Sequence, residues 1–275
     1  MGAFLFYLLK SGCCLVVFYI FFKLLMSRST FFHFNRITLL VGLLGCTLLP
    51  LIELTTTEET FLHTPLYAIH EILQSTESVI LNPEQMEDPI LISEKNPEIN
   101  SLNWIPVTLA FIYGVGALVT LIWLSLSTCR LIQLIRTSEK KQFGNYVLVI
   151  PQQPTASFSW GKYIVISAAD YSQQSEEILL HEMMHLRNHH TLDLLFMQIF
   201  LLVYWFNPVV WLLKRELQEV HEFEADNGVI NTGIDATKYQ LLLVKKAVGT
   251  RLYSMANGFN HSKLKKRITM MLKER

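Results

Sequence analysis

The sequence predicts a mainly α-helical, polytopic membrane protein that carries one small β hairpin. Of its 275 residues, 51% are hydrophobic and only 17% are charged, a balance that is unusual for a water-soluble domain. Three apolar runs each approach the length needed to cross a hydrocarbon core of ~30 Å. Two further runs are rich in β-branched residues, which favour strands.

The first two apolar runs form a predicted transmembrane hairpin over residues 1–53. The first spans Ala3 to Met26 and the second spans Ile37 to about Ile52, with a short link from Ser27 to Arg36 between them. The first run is too long for the apolar region of an ordinary signal peptide, so we interpret it as a retained span.

An acidic segment follows the hairpin. From Glu53 to Asn103 there are ten acidic residues and a single lysine. Such a composition is typical of a solvated segment that cannot build a core of its own. We therefore expect residues 54–103 to form an extracytoplasmic loop.

The third predicted span begins at Trp104 and ends near Leu126, within an assigned range of 104–128. Gly114 and Gly116 would permit close helix contact. Basic residues flank the first link and the exit of this span, namely Lys23, Arg28, Arg36, Arg130, Arg136, Lys140 and Lys141. The positive-inside rule then places the amino terminus outside and residues 129–275 in the cytoplasm.

The two β-rich runs cover Asn145 to Ile150 and Lys162 to Ser167, and prolines and a glycine separate them. They predict a small hairpin or a pair of edge strands. An edge strand offers unpaired backbone groups to an extended peptide, so substrate alignment is one interpretation. A purely structural ribbon is the other.

The motif that indicates chemistry is His181-Glu182-Met-Met-His185. On a helix, residues four apart lie on one face, so both histidines could bind one Zn²⁺ ion. Glu182 would then be the general base that accepts a proton from activated water. A chance match is the alternative, since the chain has nine histidines.

Two further histidines, His189 and His190, follow the motif. A metzincin would have a glycine at Asn188 and a third histidine at Thr191, and the sequence has neither. We therefore expect His189 and His190 to be surface residues at a helix end.

The run from Leu192 to Leu213 could be a fourth span, but the chemistry argues against a crossing. A crossing would put later residues ~30 Å from the histidines. Pro208 could instead break the run into a helical hairpin, either buried or re-entrant. The returning helix would then present Glu222 as the third metal ligand, with Asp226 one turn on to orient a ligand histidine. Glu219 and Glu224 are the competing ligands.

These motifs resemble the gluzincin membrane peptidases and, in wider context, the BlaR/MecR family of antirepressor peptidases. The resemblance covers nearly the whole chain through the metal motifs and five other stretches: Phe32–Arg36, Ser157–Gly161, Tyr204–Pro208, Asn257–Asn260 and Leu264–Ile268. It implies Zn²⁺ bound by His181, His185 and Glu222, with Glu182 as the base. Family members usually continue into another span and a sensor domain. This chain stops at Arg275 after a basic stretch that an anionic membrane surface would hold.

The resemblance implies a signalling zinc endopeptidase of the bacterial inner membrane that cleaves itself, a transcriptional repressor, or both, as in the regulation of antibiotic resistance. Alternatives are a housekeeping protease of the prenyl-protein peptidase type and a non-catalytic, zinc-stabilised scaffold. Expected partners are the lipid bilayer, a peptide or protein substrate and a second copy of the chain. The net charge of zero gives no indication of direct nucleic-acid binding, and four cysteines in or beside apolar runs argue against a disulfide framework.

Overall fold

The structure is a computed structural model that describes residues 2–52, 104–153, 155–172, 176–249 and 258–273. The predicted acidic loop over residues 54–103 lies outside the described residues. The helices are α1 (Gly2–Phe21), α2 (Phe32–Leu48), α3 (Trp104–Thr137), α4 (Ala168–Ser172), α5 (Glu176–Arg187), α6 (His190–Val203), α7 (Pro208–Asn231), α8 (Ala236–Gly249) and α9 (Gly258–Met271). The strands are β1 (Glu139–Phe143), β2 (Tyr146–Ile150), β3 (Phe158–Trp160) and β4 (Tyr163–Val165).

In the part of the chain that the structure describes, three helical segments are long and apolar enough to cross a membrane: Ala3–Met26, Phe32–Leu51 and Val107–Thr137. The first matches the prediction, with α1 continued by one π-helical turn to Met26. The second begins at Phe32, earlier than predicted, because Phe32 is buried and its ring packs 5.7 Å from that of Phe223 on α7. Arg36 therefore lies on α2 and not in the link where the sequence placed it.

The third segment runs past its predicted end near Leu126 and stays helical to Thr137. Its final turns leave the apolar region and pack on the sheet, where Ile135 is buried against Val149 and Val165. The extension therefore depends on a tertiary contact that hydropathy does not report.

The sheet corrects the predicted hairpin. Its four strands have the order β1-β2-β4-β3, and the two β-rich runs form the central pair, β2 and β4, in parallel. A parallel pair needs a crossover, and the chain provides it through β3, which pairs antiparallel with β4. The outer strands are β1, whose five residues are all exposed, and β3. The edge strand nearest α5, the helix that carries His181 and His185 (the metal helix), is therefore β3, which lies outside both predicted runs.

The apolar run after the metal helix forms a helical hairpin, as the metal-site argument predicted. Helix α6 has 14 residues and a length of ~21 Å, which is short for a bilayer crossing. The chain reverses at Asn207, which is extended and whose side chain accepts a hydrogen bond from the Val209 amide at 3.0 Å. Pro208 occupies the first turn of α7, where its missing amide hydrogen costs nothing.

The tip of this hairpin lies beside the middle of the membrane helices. The Tyr204 hydroxyl donates to Ser11 Oγ at 2.9 Å, and the Tyr113 hydroxyl donates to the Val203 carbonyl at 3.0 Å. Gly116 makes room for Trp205, since a Cβ there would lie 2.0 Å from the indole ring, whereas nothing lies within 4 Å of a Cβ at Gly114. The reversal of the chain at Asn207 is therefore confirmed, and it packs the tip of the hairpin against α1 and α3.

We predict that cysteines placed singly at Arg187 and Arg215, both exposed, react with a membrane-impermeant maleimide from the same side of sealed vesicles. The background would lack the native cysteines Cys13, Cys14, Cys46 and Cys129. A cysteine at Trp104, at the far end of α3, is the control and should react only from the opposite side. Labelling of positions 187 and 215 from opposite sides would show that the run crosses the membrane.

Candidate metal centre

The centre forms where α5 packs against α7. Ile178 and Leu186 of α5 are buried, and Leu186 packs against Leu148 and Ile164 of the sheet. The opposite side of α5 meets α7 at Gly228, where a Cβ would lie 2.8 Å from Met184 Cγ and Sδ. A glycine at this crossing therefore allows the two helices to approach closely.

Three of the predicted site residues converge at this crossing. Nε2 of His181 and Nε2 of His185 are 3.1 Å apart, and the Glu222 oxygens lie 3.5 Å from the first and 3.8 Å from the second. Among the described residues, this is the one group of three His, Cys, Asp or Glu whose ligand atoms all lie within 4.8 Å. Two imidazoles and a carboxylate form a donor set suited to a catalytic zinc ion.

The electrostatics of the two histidines differ. Burial, together with the charge of His181, lowers the pKa of His185 to about 3. Burial acts in the same direction on His181, but hydrogen bonds and charge from Asp226 and Glu222 outweigh it and raise its pKa to about 9. A cation bound at His181 therefore competes with a proton over the neutral range.

Asp226 lies on the far side of His181 from the other two ligands. Its Oδ1 is 3.3 Å from His181 Nδ1, and Tyr239 Oη lies 2.9 Å from the same nitrogen and donates to Asp226 at 2.8 Å. Arg267 donates to both Asp226 oxygens at 2.8 and 2.6 Å. These contacts orient the ring so that Nε2 faces the cluster.

Sequence reasoning assigned no role to Tyr239 or Arg267. Arg267 belongs to the terminal basic stretch that was expected to lie on the membrane surface. In the structure it also pairs with Glu222 at 2.9 Å, and its neighbour Lys266 pairs with Glu219 at 2.8 Å. Two basic residues of α9 therefore pair with acidic residues of α7 at or beside the site.

Glu182 is buried next to the ligands. The pKa of its carboxyl is raised, chiefly because burial disfavours the charged form, with the negative charge of Glu222 adding to the effect. A carboxylate whose pKa is raised toward neutrality is better suited to general-base catalysis.

The two competing ligands point elsewhere. Glu219 is engaged by Lys266, and Glu224 faces His190 and Arg36, with carboxylate distances of 3.1 and 3.5 Å. Neither belongs to the metal cluster described above.

The prediction for His190 was wrong. His189 is exposed, but His190 is 2% exposed and its Nδ1 lies 2.7 Å from Nδ1 of His185. The cause is a left-handed backbone at His189, with φ of 56°, which ends the metal helix and starts α6 in a new direction. His190 therefore points back toward the metal helix, and motif spacing could not indicate this.

A cavity of about 720 Å³ borders the centre. Its walls come from α3, β3, α5, α6, α7, α8 and α9, and they include Thr128, Trp160, His185, Glu222, Lys246 and Lys263. The cluster is thus accessible from a cleft that touches a membrane helix on one side and the edge strand on another.

A family model described as BlaR1 peptidase M56 matches residues 12–271 of this chain. The regulatory protein BlaR1 of Staphylococcus aureus is 34% identical over 84 residues, which are 29% of this chain and 14% of that protein. The regulatory protein BlaR1 of Bacillus licheniformis is 38% identical over 55 residues, 20% and 9% of the two chains. The matched segments thus span a small part of these relatives. Because the family model covers most of the chain, this protein belongs to the BlaR1 peptidase M56 family of metallopeptidases.

Proposed function

We propose that the chain is a membrane-embedded zinc metalloendopeptidase that acts in signal transduction and cleaves itself, a cytoplasmic transcriptional repressor, or both. The observation that carries the proposal is the convergence of His181, His185 and Glu222 on one point, with Glu182 buried beside them. Family membership supports peptidase chemistry independently of this geometry.

The three ligand side chains would hold the zinc ion, and Asp226 and Tyr239 would orient His181 from behind. Zinc held there would supply a Lewis acid that polarises a peptide carbonyl and makes water nucleophilic near neutral pH. Glu182 would accept the proton from the attacking water and pass it to the leaving amine. Its burial favours this role, because a shielded carboxyl with a raised pKa can hold the proton between the two steps.

The substrate would lie in the cavity as an extended strand along β3. Phe158, Ser159 and Trp160 all line the cavity, and β3 pairs with β4 on its other edge. The segment before β3 is fastened by Ser157, which donates to Asp170 at 2.6 Å, and Lys246 of α8 donates to the same carboxylate at 2.8 Å. A fixed edge strand can bind peptide backbone without strong dependence on side chains.

The signalling role is supported by the names of the relatives and by the membrane helices. Both relatives are called regulatory proteins. The basic residues around the first link and the end of α3 favour a bacterial inner-membrane topology with the amino terminus outside and the cavity facing the cytoplasm. A cytoplasmic site would have access to a repressor and to the chain's own linking segments.

We predict that the purified protein binds one zinc ion per chain and that His181→Ala, His185→Ala and Glu222→Ala each lose it, because three protein ligands are the usual catalytic set. Metal content would be measured on folded, detergent-solubilised protein. Glu219→Ala is the matched control, since Glu219 lies on the same helix and pairs with Lys266. Full zinc occupancy in the Glu222 variant would refute the assigned ligand set.

Glu182→Gln should retain zinc and lose cleavage by about 100-fold or more, because the amide cannot accept the proton. Cleavage would be followed by mass spectrometry of new termini in the chain itself and in an unstructured reporter protein. Glu177→Gln, on the same helix but paired with Lys238, should cleave normally. Undiminished cleavage by the Glu182 variant would exclude it as the base, and a signalling response that persists without any cleavage would favour the scaffold alternative.

Zinc affinity should rise with pH up to about 9, by about tenfold per pH unit, because the raised pKa of His181 leaves a proton to be displaced below that value. Chelator competition at several pH values would measure the slope. Asp226→Asn removes one of the groups that raise this pKa, so its affinity should stop rising at a lower pH. A zinc affinity that does not change with pH across the neutral range would contradict the assignment of His181 as a ligand that loses a proton when zinc binds.

A further inference from the structure

A chain of buried and half-buried polar side chains leads from the metal cluster back to the second membrane helix. His185 uses Nε2 at the cluster, and its Nδ1 lies 2.7 Å from Nδ1 of His190. Nε2 of His190 lies 3.1 Å from Glu224 Oε2, and Arg36 Nη1 donates to the same oxygen at 3.5 Å. The chain thus connects α5, α6, α7 and α2.

When His185 is a metal ligand, this chain of hydrogen bonds permits a single arrangement of protons. A neutral imidazole has one N–H donor and one acceptor, so a ligand nitrogen at Nε2 leaves the hydrogen on Nδ1 of His185. That hydrogen must be donated to Nδ1 of His190, which then carries its own hydrogen on Nε2 and donates it to Glu224. The carboxylate end of the chain therefore sets the tautomers of both rings.

Arg36 holds the carboxylate end in place. Its side chain is 13% exposed, and besides Glu224 it donates to Asp193 Oδ2 at 2.6 Å and to the Asn188 carbonyl at 2.7 Å. Asn188 and Asp193 stand on either side of the left-handed turn that presents His190. The Arg36 guanidinium therefore binds both ends of this turn. It also binds the Glu224 carboxylate, which His190 contacts.

The plane of the His190 ring is also constrained. His221 stacks on it at a centroid distance of 4.0 Å and an angle of 9°, and Nε2 of His221 is 2.8 Å from Asp193 Oδ2, the oxygen that Arg36 binds. Rotation of His190 away from His185 would break this stacking.

We propose that Arg36, on the second membrane helix, is a positioning residue of the metal centre. Through Glu224 and His190 it holds the His185 imidazole with Nε2 facing the ion. The inference rests on the proposed zinc site and extends it, because the site then needs a residue from a transmembrane helix. A shift of α2 relative to α7 would weaken the hold on one metal ligand, and this is a physical route from the membrane to the active site.

Zinc affinity, measured by chelator competition on folded protein, tests the proposal without any assay of activity. Arg36→Gln should weaken zinc binding by about tenfold or more, in the range seen when outer contacts of a metal ligand are removed. Lys23→Gln is the matched control, because Lys23 also forms an ion pair between this membrane hairpin and α7, with Glu216, which is not one of the side chains that lead from Arg36 to His185. It should bind zinc like the parent protein even if it unfolds more easily.

A double-variant cycle separates positioning from a general loss of structure. His190→Phe keeps the ring that stacks on His221 but cannot hydrogen-bond, so it should cost about as much zinc affinity as Arg36→Gln. The combined variant should be no weaker than either single one, because both interrupt the same chain. His33→Gln should have little effect on zinc affinity, because the His33 side chain is 73% exposed although it lies 3.3 Å from Glu224.

The possible results are distinct. Parent protein that binds no zinc would refute the proposed function itself. If the parent protein binds zinc, three results would each overturn the role of Arg36 while leaving the zinc site intact. They are an unchanged zinc affinity in Arg36→Gln, an equal loss of zinc affinity in Lys23→Gln, and additive losses of zinc affinity in the double variant.

Discussion

The structure depends on the close approach of α5 and α7. A zinc ion has ligand bonds of ~2 Å, so two histidines on one helix and a glutamate on another can share it only when the helices are in direct contact. Gly228 permits that contact beside Met184, and the reversal at Asn207 returns the chain to the same side. Without the reversal, Glu222 would lie on the other side of an apolar layer ~30 Å thick.

The polar groups behind the ligands are buried and paired, and their energetics differ from those of surface charges. An exposed ion pair contributes about 0–1 kcal/mol, whereas removal of one member of a buried pair costs ~3–5 kcal/mol because it leaves an uncompensated charge. Asp226, 1% exposed, belongs to the second kind. Its hydrogen bonds to Arg267 therefore hold α9 against the centre, where Arg267 forms part of the wall of the cavity.

The membrane helices and the metal-bearing helices share one hydrophobic core. Leu15 of α1 and Leu39 of α2 pack in the same cluster as Met197 of α6 and Leu217 of α7. This core lies across the predicted division between residues 1–53 and 129–275. The ion pair of Lys23 with Glu216 and the contacts of Arg36 add polar links at its edge. The membrane helices therefore have a direct mechanical connection to the helices that carry the ligands.

Part of this architecture follows from local sequence. Hydropathy identifies the three long apolar helices, since burial in lipid needs an unbroken apolar run, and Pro208 predicts the reversal because it lacks an amide hydrogen. The spacing of His181 and His185 follows from the helical period. A third ligand must lie on the same side as the histidines, which pointed to the returning helix, and Glu222 was preferred there because it shares a face with Asp226 and matches the family motif. These constraints are local or depend on a single distance.

By itself, then, the sequence determined the apolar helices, the helical reversal and the histidine pair, and it favoured Glu222 over the competing ligands Glu219 and Glu224. Only the tertiary structure decided the parallel pairing of the two β-rich runs, the burial of His190, and the recruitment of Arg36, Tyr239 and Arg267. Those features depend on contacts between residues far apart in the chain, and on one left-handed residue, His189, whose backbone conformation no local pattern predicts.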